Sequence, residues 1–216
     1  MMKVEKISEL TTNRVSIYLR CLNELATKGA KTVSSDGLAK QFHLNSAQIR
    51  KDLAYFGEFG VRGVGYYVED LRAHLTKILG LETQHRIGIV GAGRLGTALT
   101  DYYEFSQANF TVAALFDADE NKIGQKVGDT EIFDIKNFAD TVKKVKIDVA
   151  VIAVPAEYAQ AVLDRITEAG IKAVMNFAPI PLKISGDAKL KTVDLTISLE
   201  SLSYFLAQPG NSNGKR

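Results

Sequence analysis

The stretch Gly91-Ala92-Gly93-Arg94-Leu95-Gly96 follows the apolar run Arg86-Ile-Gly-Ile-Val90 without a break. A G-x-G-x-x-G loop at a strand-to-helix junction narrows the fold sharply, because each glycine has its own steric task. The first permits a tight turn, the second lets backbone approach a pyrophosphate, and the third lets the helix pack closely on the strand. The helix that starts there offers phosphate its unpaired N–H groups and the positive end of its dipole. A glycine-rich loop by itself is weak evidence, since an ordinary tight turn beside a surface aspartate reads alike. Here a second apolar run, Val112-Ala-Ala-Leu-Phe116, ends in Asp117, 21 positions after Gly96. That is the place of the acidic residue that takes the adenosine ribose hydroxyls. Asp119 and Glu120 stand close behind with no arginine nearby. Their charge is expected to repel a 2′-phosphate, which favours NAD and NADH over the phosphorylated dinucleotides.

The residues after position 80 alternate between apolar strands and amphipathic helices. Strands are expected at 86–90, 111–116, weakly at 131–133, then at 148–154, 172–177 and 192–195, with helices near 95–106, 136–144 and 157–169. Such alternation predicts an α/β fold, a Rossmann-type doubly wound parallel sheet. Val154-Pro155 and Ala178-Pro179 fall at carboxyl ends of strands, where ligands bind in open α/β sheets, and promise a dry, backbone-lined pocket. No apolar run approaches the roughly 18 residues of a membrane span, and the N-terminus lacks the apolar core of a signal peptide. The single cysteine, Cys21, rules out an internal disulfide, fits a reducing cytoplasm, and reads as buried filler on a helix. His43, His74 and His85 are scattered without ligand spacing, so no metal is assigned.

Charge divides unevenly. Residues 1–80 hold twelve Lys/Arg against eight Asp/Glu, whereas 81–216 hold fifteen against seventeen, so the positive excess lies in the N-terminal third and hints at an anionic partner. Val15, Leu19, Leu22 and Leu25 mark an amphipathic helix from Arg14 to Lys28. Ser34 or Ser35 caps a short second helix, and after the turn His43-Leu44-Asn45 a third runs over 45–56, capped by Asn45. Its inward side is Ile49, Leu53 and Phe56; its outward face carries Ala47, Gln48, Lys51 and Tyr55, with Ser46 and Arg50 on the flanks. Helix, helix, short turn, helix is the order of a helix-turn-helix reader, although a solvated face explains Arg50 and Lys51 equally well. The segment Gly57 to Tyr66 then reads as a hairpin with glycines at 57, 60, 63 and 65 and with Arg62 and Gly63 near its tip. A hairpin directly after a recognition helix is a wing, and a tip arginine suits the narrow, electronegative minor groove.

Taken together, Gln48-Ile-Arg-Lys-Asp-Leu53, Tyr55-Phe-Gly57, Arg62-Gly-Val-Gly-Tyr66, Gly91-Ala-Gly-Arg-Leu-Gly96 and Asn176-Phe-Ala-Pro179 occur in the order and approximate spacing of one family. From about residue 5 to about 207 the chain resembles the redox-sensing transcriptional repressors of the Rex family. The resemblance implies an N-terminal winged helix-turn-helix domain, a Rossmann domain, a homodimer on a palindromic double-stranded operator, and repression relieved when NADH replaces NAD. It also implies that Arg20, Tyr102 and Asp194 link the nicotinamide pocket to the DNA-binding domain. Many members carry Phe directly after that aspartate; this chain departs from them with Leu195, which has no aromatic face to stack on the nicotinamide ring. The expected boundaries are 1–80 for the winged helix, 86–195 for the Rossmann domain, 196–208 for a dimerisation helix and 209–216 for a disordered tail. Ile197, Leu199, Leu202, Phe205 and Leu206 make the dimerisation helix too apolar to stand free, unless it docks on its own sheet.

Two other readings compete. A small nicotinamide dehydrogenase needs a proton donor and groups that orient a substrate. All three histidines precede the Rossmann segment, and no tyrosine has a lysine four residues later, the arrangement of short-chain dehydrogenases. A CoA-binding module opens with a similar glycine loop; Asp117 favours the nicotinamide dinucleotide. The expectation is a sensor, not an enzyme.

Overall fold

A computed structural model describes residues 7–208; the expected disordered tail at 209–216 lies outside the described residues. The chain forms two compact units that meet between Thr83 and Gln84.

The first unit opens with α1 (Glu9–Thr27), which starts five residues before Arg14 because Ser8 accepts a hydrogen bond from the Thr11 N–H and caps it. After β1 (Thr32–Val33) comes α2 (Ser35–Phe42), capped by Ser34 through the Gly37 N–H. His43 closes α2 in the left-handed region at φ 53°, and Asn45 caps α3 (Ser46–Phe56) through the Gln48 N–H. β2 (Tyr66–Tyr67) and α4 (Val68–Ile78) complete the unit. Its core joins Val15, Tyr18, Leu22 and Leu25 of α1 to Leu38, Ile49, Leu53, Leu71 and Leu75, one apolar stripe from each helix. Cys21 is a free thiol within this core.

The wing is smaller than the glycine spacing suggests. Instead of two strands within 57–66, a single bridge between Val61 and Gly65 closes a tip of Arg62, Gly63 and Val64, and β2 pairs antiparallel with β1. Gly65, at φ 96°, makes this possible: a Cβ there would lie 2.5 Å from the Val33 carbonyl oxygen.

The second unit contains β3 (His85–Val90), α5 (Arg94–Thr100), α6 (Tyr103–Gln107), β4 (Phe110–Asp117), β5 (Lys126–Val127), β6 (Thr130–Asp134), α7 (Phe138–Val145), β7 (Val149–Ile152), α8 (Ala156–Glu168), β8 (Ala173–Asn176), β9 (Lys189–Thr192) and α9 (Leu195–Leu206). The sheet order is β5-β6-β4-β3-β7-β8-β9, parallel except for β5. From β6 to β9 this is the doubly wound dinucleotide order, with its reversal between β3 and β7. Phe116, Ala150, Ile152 and Val174 of the sheet pack with Phe138 and Val142 of α7 and Leu163 and Ile166 of α8. Ile87, Ile89 and Val151 form a separate cluster with Leu99 and Phe105 of α5 and α6.

Three expectations change here. The helix expected over 95–106 is broken at Asp101-Tyr102, so Tyr102 precedes α6 instead of riding on the helix after the loop. The last strand is Lys189–Thr192, not 192–195, and Asp194 stands in the turn after it. The terminal helix runs Leu195–Leu206 rather than 196–208, and it does not dock on its own sheet: each of its large apolar side chains is exposed, up to 88% for Leu206.

Candidate functional site

The glycine loop sits at the reversal point of the sheet. Gly91 donates its N–H to the Phe116 carbonyl at 2.8 Å, and Ala153 donates to the Val90 carbonyl at 2.8 Å. A Cβ on Gly91 would strike the Ala153 carbonyl oxygen, and one on Gly96 would strike that of Gly91. The loop is therefore pressed against the end of β7, beside Val154. Gly93, the N-cap of α5, is unlike them: a Cβ there would meet nothing within 4 Å. Two glycines packed on protein and one opening on empty space is the steric pattern that close approach of a pyrophosphate requires.

Asp117, at the end of β4, closes the cradle. Its Oδ2 accepts from the Ala92 N–H at 2.9 Å and its Oδ1 from the Asp119 N–H at 3.0 Å. Burial pushes this carboxyl up, but the Asp119 N–H, the Lys122 ammonium and the Ala92 N–H together outweigh it and hold it below the usual range. Lys122 corrects the picture of unopposed negative charge. Its Nζ lies 3.1 Å from Asp117 Oδ2 and 3.9 Å from Asp119 Oδ2, which tempers the expected repulsion of a 2′-phosphate. A basic residue five positions after the aspartate is the signal that spacing alone left unread.

Of the other residues expected on this side, Ala178 is buried and fixed in place. The buried Asn176 side chain accepts from the Ala178 N–H at 2.9 Å and donates to its carbonyl at 3.0 Å. Pro155 and Pro179 are exposed, as are Arg94 and Leu95. Tyr102 is 51% exposed, edge-on to Phe105 at 5.1 Å between ring centres. Asp194 caps α9: its Oδ1 accepts from the Thr196 N–H at 2.8 Å and the Ile197 N–H at 3.3 Å.

In the first unit, Ala47, Lys51 and Tyr55 are exposed on α3, Ser46 is half-buried, and Arg62 and Gly63 are exposed at the wing tip. Arg50 is exposed but engaged, donating to Ser35 Oγ at 2.7 Å and lying 3.6 Å from Asp36. Ser34, Ser35, Arg50, Arg62 and Tyr66 border a cleft of about 550 Å³ beside the wing. Gln48 is half-buried rather than fully outward, because Nε2 donates to Asp52 Oδ1 at 2.7 Å.

Asp52 was missed by the sequence reading. It is 4% exposed and also accepts from Arg14 Nε at 2.5 Å, Arg14 Nη2 at 2.8 Å and the Tyr18 hydroxyl at 2.8 Å. Its signal was available: position 52 lies three after Ile49 and four before Phe56, on the apolar side, where an acid demands a partner. Arg20, by contrast, is exposed on α1. Among the described residues no group of His, Cys, Asp and Glu is placed to hold a metal ion, and no helix is long and apolar enough to cross a membrane.

A family profile described as "CoA binding domain" matches residues 82–180, and one described as "Putative DNA-binding protein N-terminus" matches residues 6–54. The chain is 48% identical over 206 residues to a protein of Syntrophomonas wolfei named Redox-sensing transcriptional repressor Rex, covering 95% of this chain and 98% of that one. A Pelotomaculum thermopropionicum protein of the same name is 44% identical over 213 residues, covering 99% and 100%. Among solved structures, RSP in complex with β-NAD+ and operator DNA matches at 39% identity and TM-score 0.89, covering 94% of this chain and 93% of that one. RSP in complex with β-NADH matches at 38% and 0.83, covering 94% and 95%. The CoA-binding profile is confined to residues 82–180, whereas the likeness to the repressors extends through both units. The chain belongs to the Rex family of redox-sensing transcriptional repressors.

Proposed function

We propose that this chain is a redox-sensing transcriptional repressor, which binds a palindromic operator as a homodimer and is released from it when NADH binds. The observation that carries the reading is the presence on one chain of two separately built sites. One is a helix-turn-helix with Lys51, Tyr55 and Arg62 exposed; the other is a glycine cradle closed by Asp117. The N–H groups at the start of α5 and the open space over Gly93 fit a pyrophosphate, and Asp117 fits ribose hydroxyls. Ala92, Arg94 and Leu95 line the same loop. Val154, Pro155, Ala178 and Pro179 are assigned to the nicotinamide end, where Asn176 holds the backbone of Ala178 rigid.

When bound, NADH supplies a neutral ring where NAD carries a cation. The apolar Val154 and Ala178 surroundings therefore favour the reduced form, because burying an unpaired charge is costly. Ser46, Ala47, Gln48, Arg50, Lys51 and Tyr55 are assigned to the major groove, and Arg62 with Gly63 to the minor groove. Arg20, Tyr102 and Asp194 are assigned to the coupling of the two activities. The second copy covers α9, whose exposed stripe of Leu195, Ile197, Leu199, Leu202, Phe205 and Leu206 is larger than a lone soluble chain sustains.

The domain limits we assign are 1–83 for the winged helix and 84–194 for the Rossmann domain, followed by α9. The reading is of a cytoplasmic regulator and not of a dehydrogenase, in keeping with relatives named as repressors over their full length. A mobility-shift titration on a palindromic operator tests it: NADH is expected to release the protein at concentrations where NAD leaves it bound. Equal release by both nucleotides, or by CoA, contradicts the assignment.

A further inference from the structure

Gln48 lies on the first turn of α3, within the face assigned to DNA, yet its amide is tied inward to Asp52. Both oxygens of Asp52 are already engaged, Oδ1 by Arg14 Nη2 and Oδ2 by Arg14 Nε and the Tyr18 hydroxyl. These bonds also keep the carboxyl ionised, although burial alone would push it up. An ionised carboxylate only accepts hydrogen bonds, so the carboxamide facing it must present nitrogen. A glutamine on a free helix face rotates and offers either end of its amide to a base edge. Gln48 has lost that choice.

We propose that Asp52, clamped by Arg14 and Tyr18, is a positioning residue that fixes the polarity of the Gln48 carboxamide. Gln48 then meets DNA with its oxygen as acceptor and selects a base bearing a major-groove amine, adenine or cytosine. The proposal rests on the reading of α3 as the recognition helix. The edges of guanine (N7 and O6) and thymine (O4) present acceptors and no amine, so an oxygen held outward gains nothing from either. A network that only stapled α3 to α1 would weaken every DNA sequence alike when broken. One that sets amide polarity shows itself at a single base-pair position and its symmetry mate.

The test starts from an operator that the full-length wild-type chain selects out of a random-sequence DNA pool. Fluorescence anisotropy then gives affinities for that operator and for each of its symmetric single base-pair substitutions. Gln48→Leu is expected to lose about tenfold discrimination at one position. Asp52→Asn, whose amide accepts as readily as it donates, is expected to lose most of the discrimination at that same position. Tyr18→Phe keeps the ring in the core and frees one bond to Asp52, so a smaller loss is expected there; it also serves if Asp52→Asn does not fold. Deleting the amine from the contacted base, with purine for adenine or 2-pyrimidinone for cytosine, is expected to cost the wild type about as much as Gln48→Leu.

The proposal is overturned if Asp52→Asn and Tyr18→Phe weaken all sequences by one common factor. It is equally overturned if Gln48→Leu alters no base preference, or if deleting the amine costs nothing. A wild-type chain that selects no palindromic sequence would instead refute the DNA-binding reading, and this proposal with it.

Discussion

Burial raises the Asp52 carboxyl, and the hydrogen bonds from Arg14, Tyr18 and Gln48 more than offset it, leaving the group below the usual carboxylate range. Its contribution to stability is therefore fully present above the unfolded value of about 4 and is lost as pH falls through the folded value. Melts of the wild type are expected to show this loss on acidification, and Asp52→Ala is expected to lack it. At neutral pH the same substitution should cost about 3 kcal/mol, because Arg14 and Tyr18 are left facing an emptied site. Thermal or urea unfolding followed across pH checks both statements. A second residue-scale prediction concerns Lys122. NADH is expected to bind more tightly than NADPH because Asp117 is assigned to the ribose, and Lys122→Ala is expected to widen that gap by removing a cation bonded to Asp117. Calorimetry with the two dinucleotides measures it; a gap that narrows would contradict the role given to Lys122.

The helices and strands differ in how readily they could be read from sequence. β3, the glycine loop and the end of β4 were legible because their signal is local: an apolar run, fixed glycines, and an acid at a set distance. The cap at Asn45 was legible for the same reason, and the cap of α2 to within the pair Ser34 and Ser35, of which the structure uses Ser34. The Asp52 network was not, since Arg14 is 38 positions away and only the folded packing of α3 on α1 brings them together. The break at Asp101-Tyr102 carries no proline or glycine to announce it. β9 was misplaced because Leu190 is its one inward apolar residue, while the more apolar Val193-Asp194-Leu195 leads into α9. The wing was overdrawn, because Gly65 serves a close crossing of Val33 and a single bridge between Val61 and Gly65 closes the tip.

Element-scale predictions follow from the wing and α9. Arg62→Ala at the wing tip is expected to weaken operator binding and to reduce the slope of log affinity against log salt by about 1; anisotropy titrations over a salt series measure it. An unchanged slope would remove the wing from the DNA contact. For α9, Leu199→Asp with Phe205→Asp places two charges in the stripe assigned to the partner. Light scattering is expected to report a monomer, with operator affinity falling because two half-sites are no longer held by one particle. A dimer of unchanged stability would contradict the assignment of α9.

At the scale of the whole molecule, each of the two units carries one of the proposed sites, the cradle on Gly91–Gly96 with Asp117 and the exposed face of α3 with Arg50 and Lys51. A regulator needs them to oppose one another, and that opposition has a thermodynamic signature independent of any structural route. If NADH weakens operator binding by some factor, the operator must weaken NADH binding by the same factor. A full swing of a two-state equilibrium from about 1:99 to 99:1 takes about 5.5 kcal/mol of differential affinity. Tyr102, Arg20 and Asp194 are where we place the coupling. The most direct measurement is the NADH dissociation constant of the full-length wild-type protein, read from NADH fluorescence with and without saturating operator. The result expected is weaker NADH binding in the presence of operator, by the factor with which NADH weakens operator binding in the reverse titration. An NADH dissociation constant that operator leaves unchanged would contradict the account.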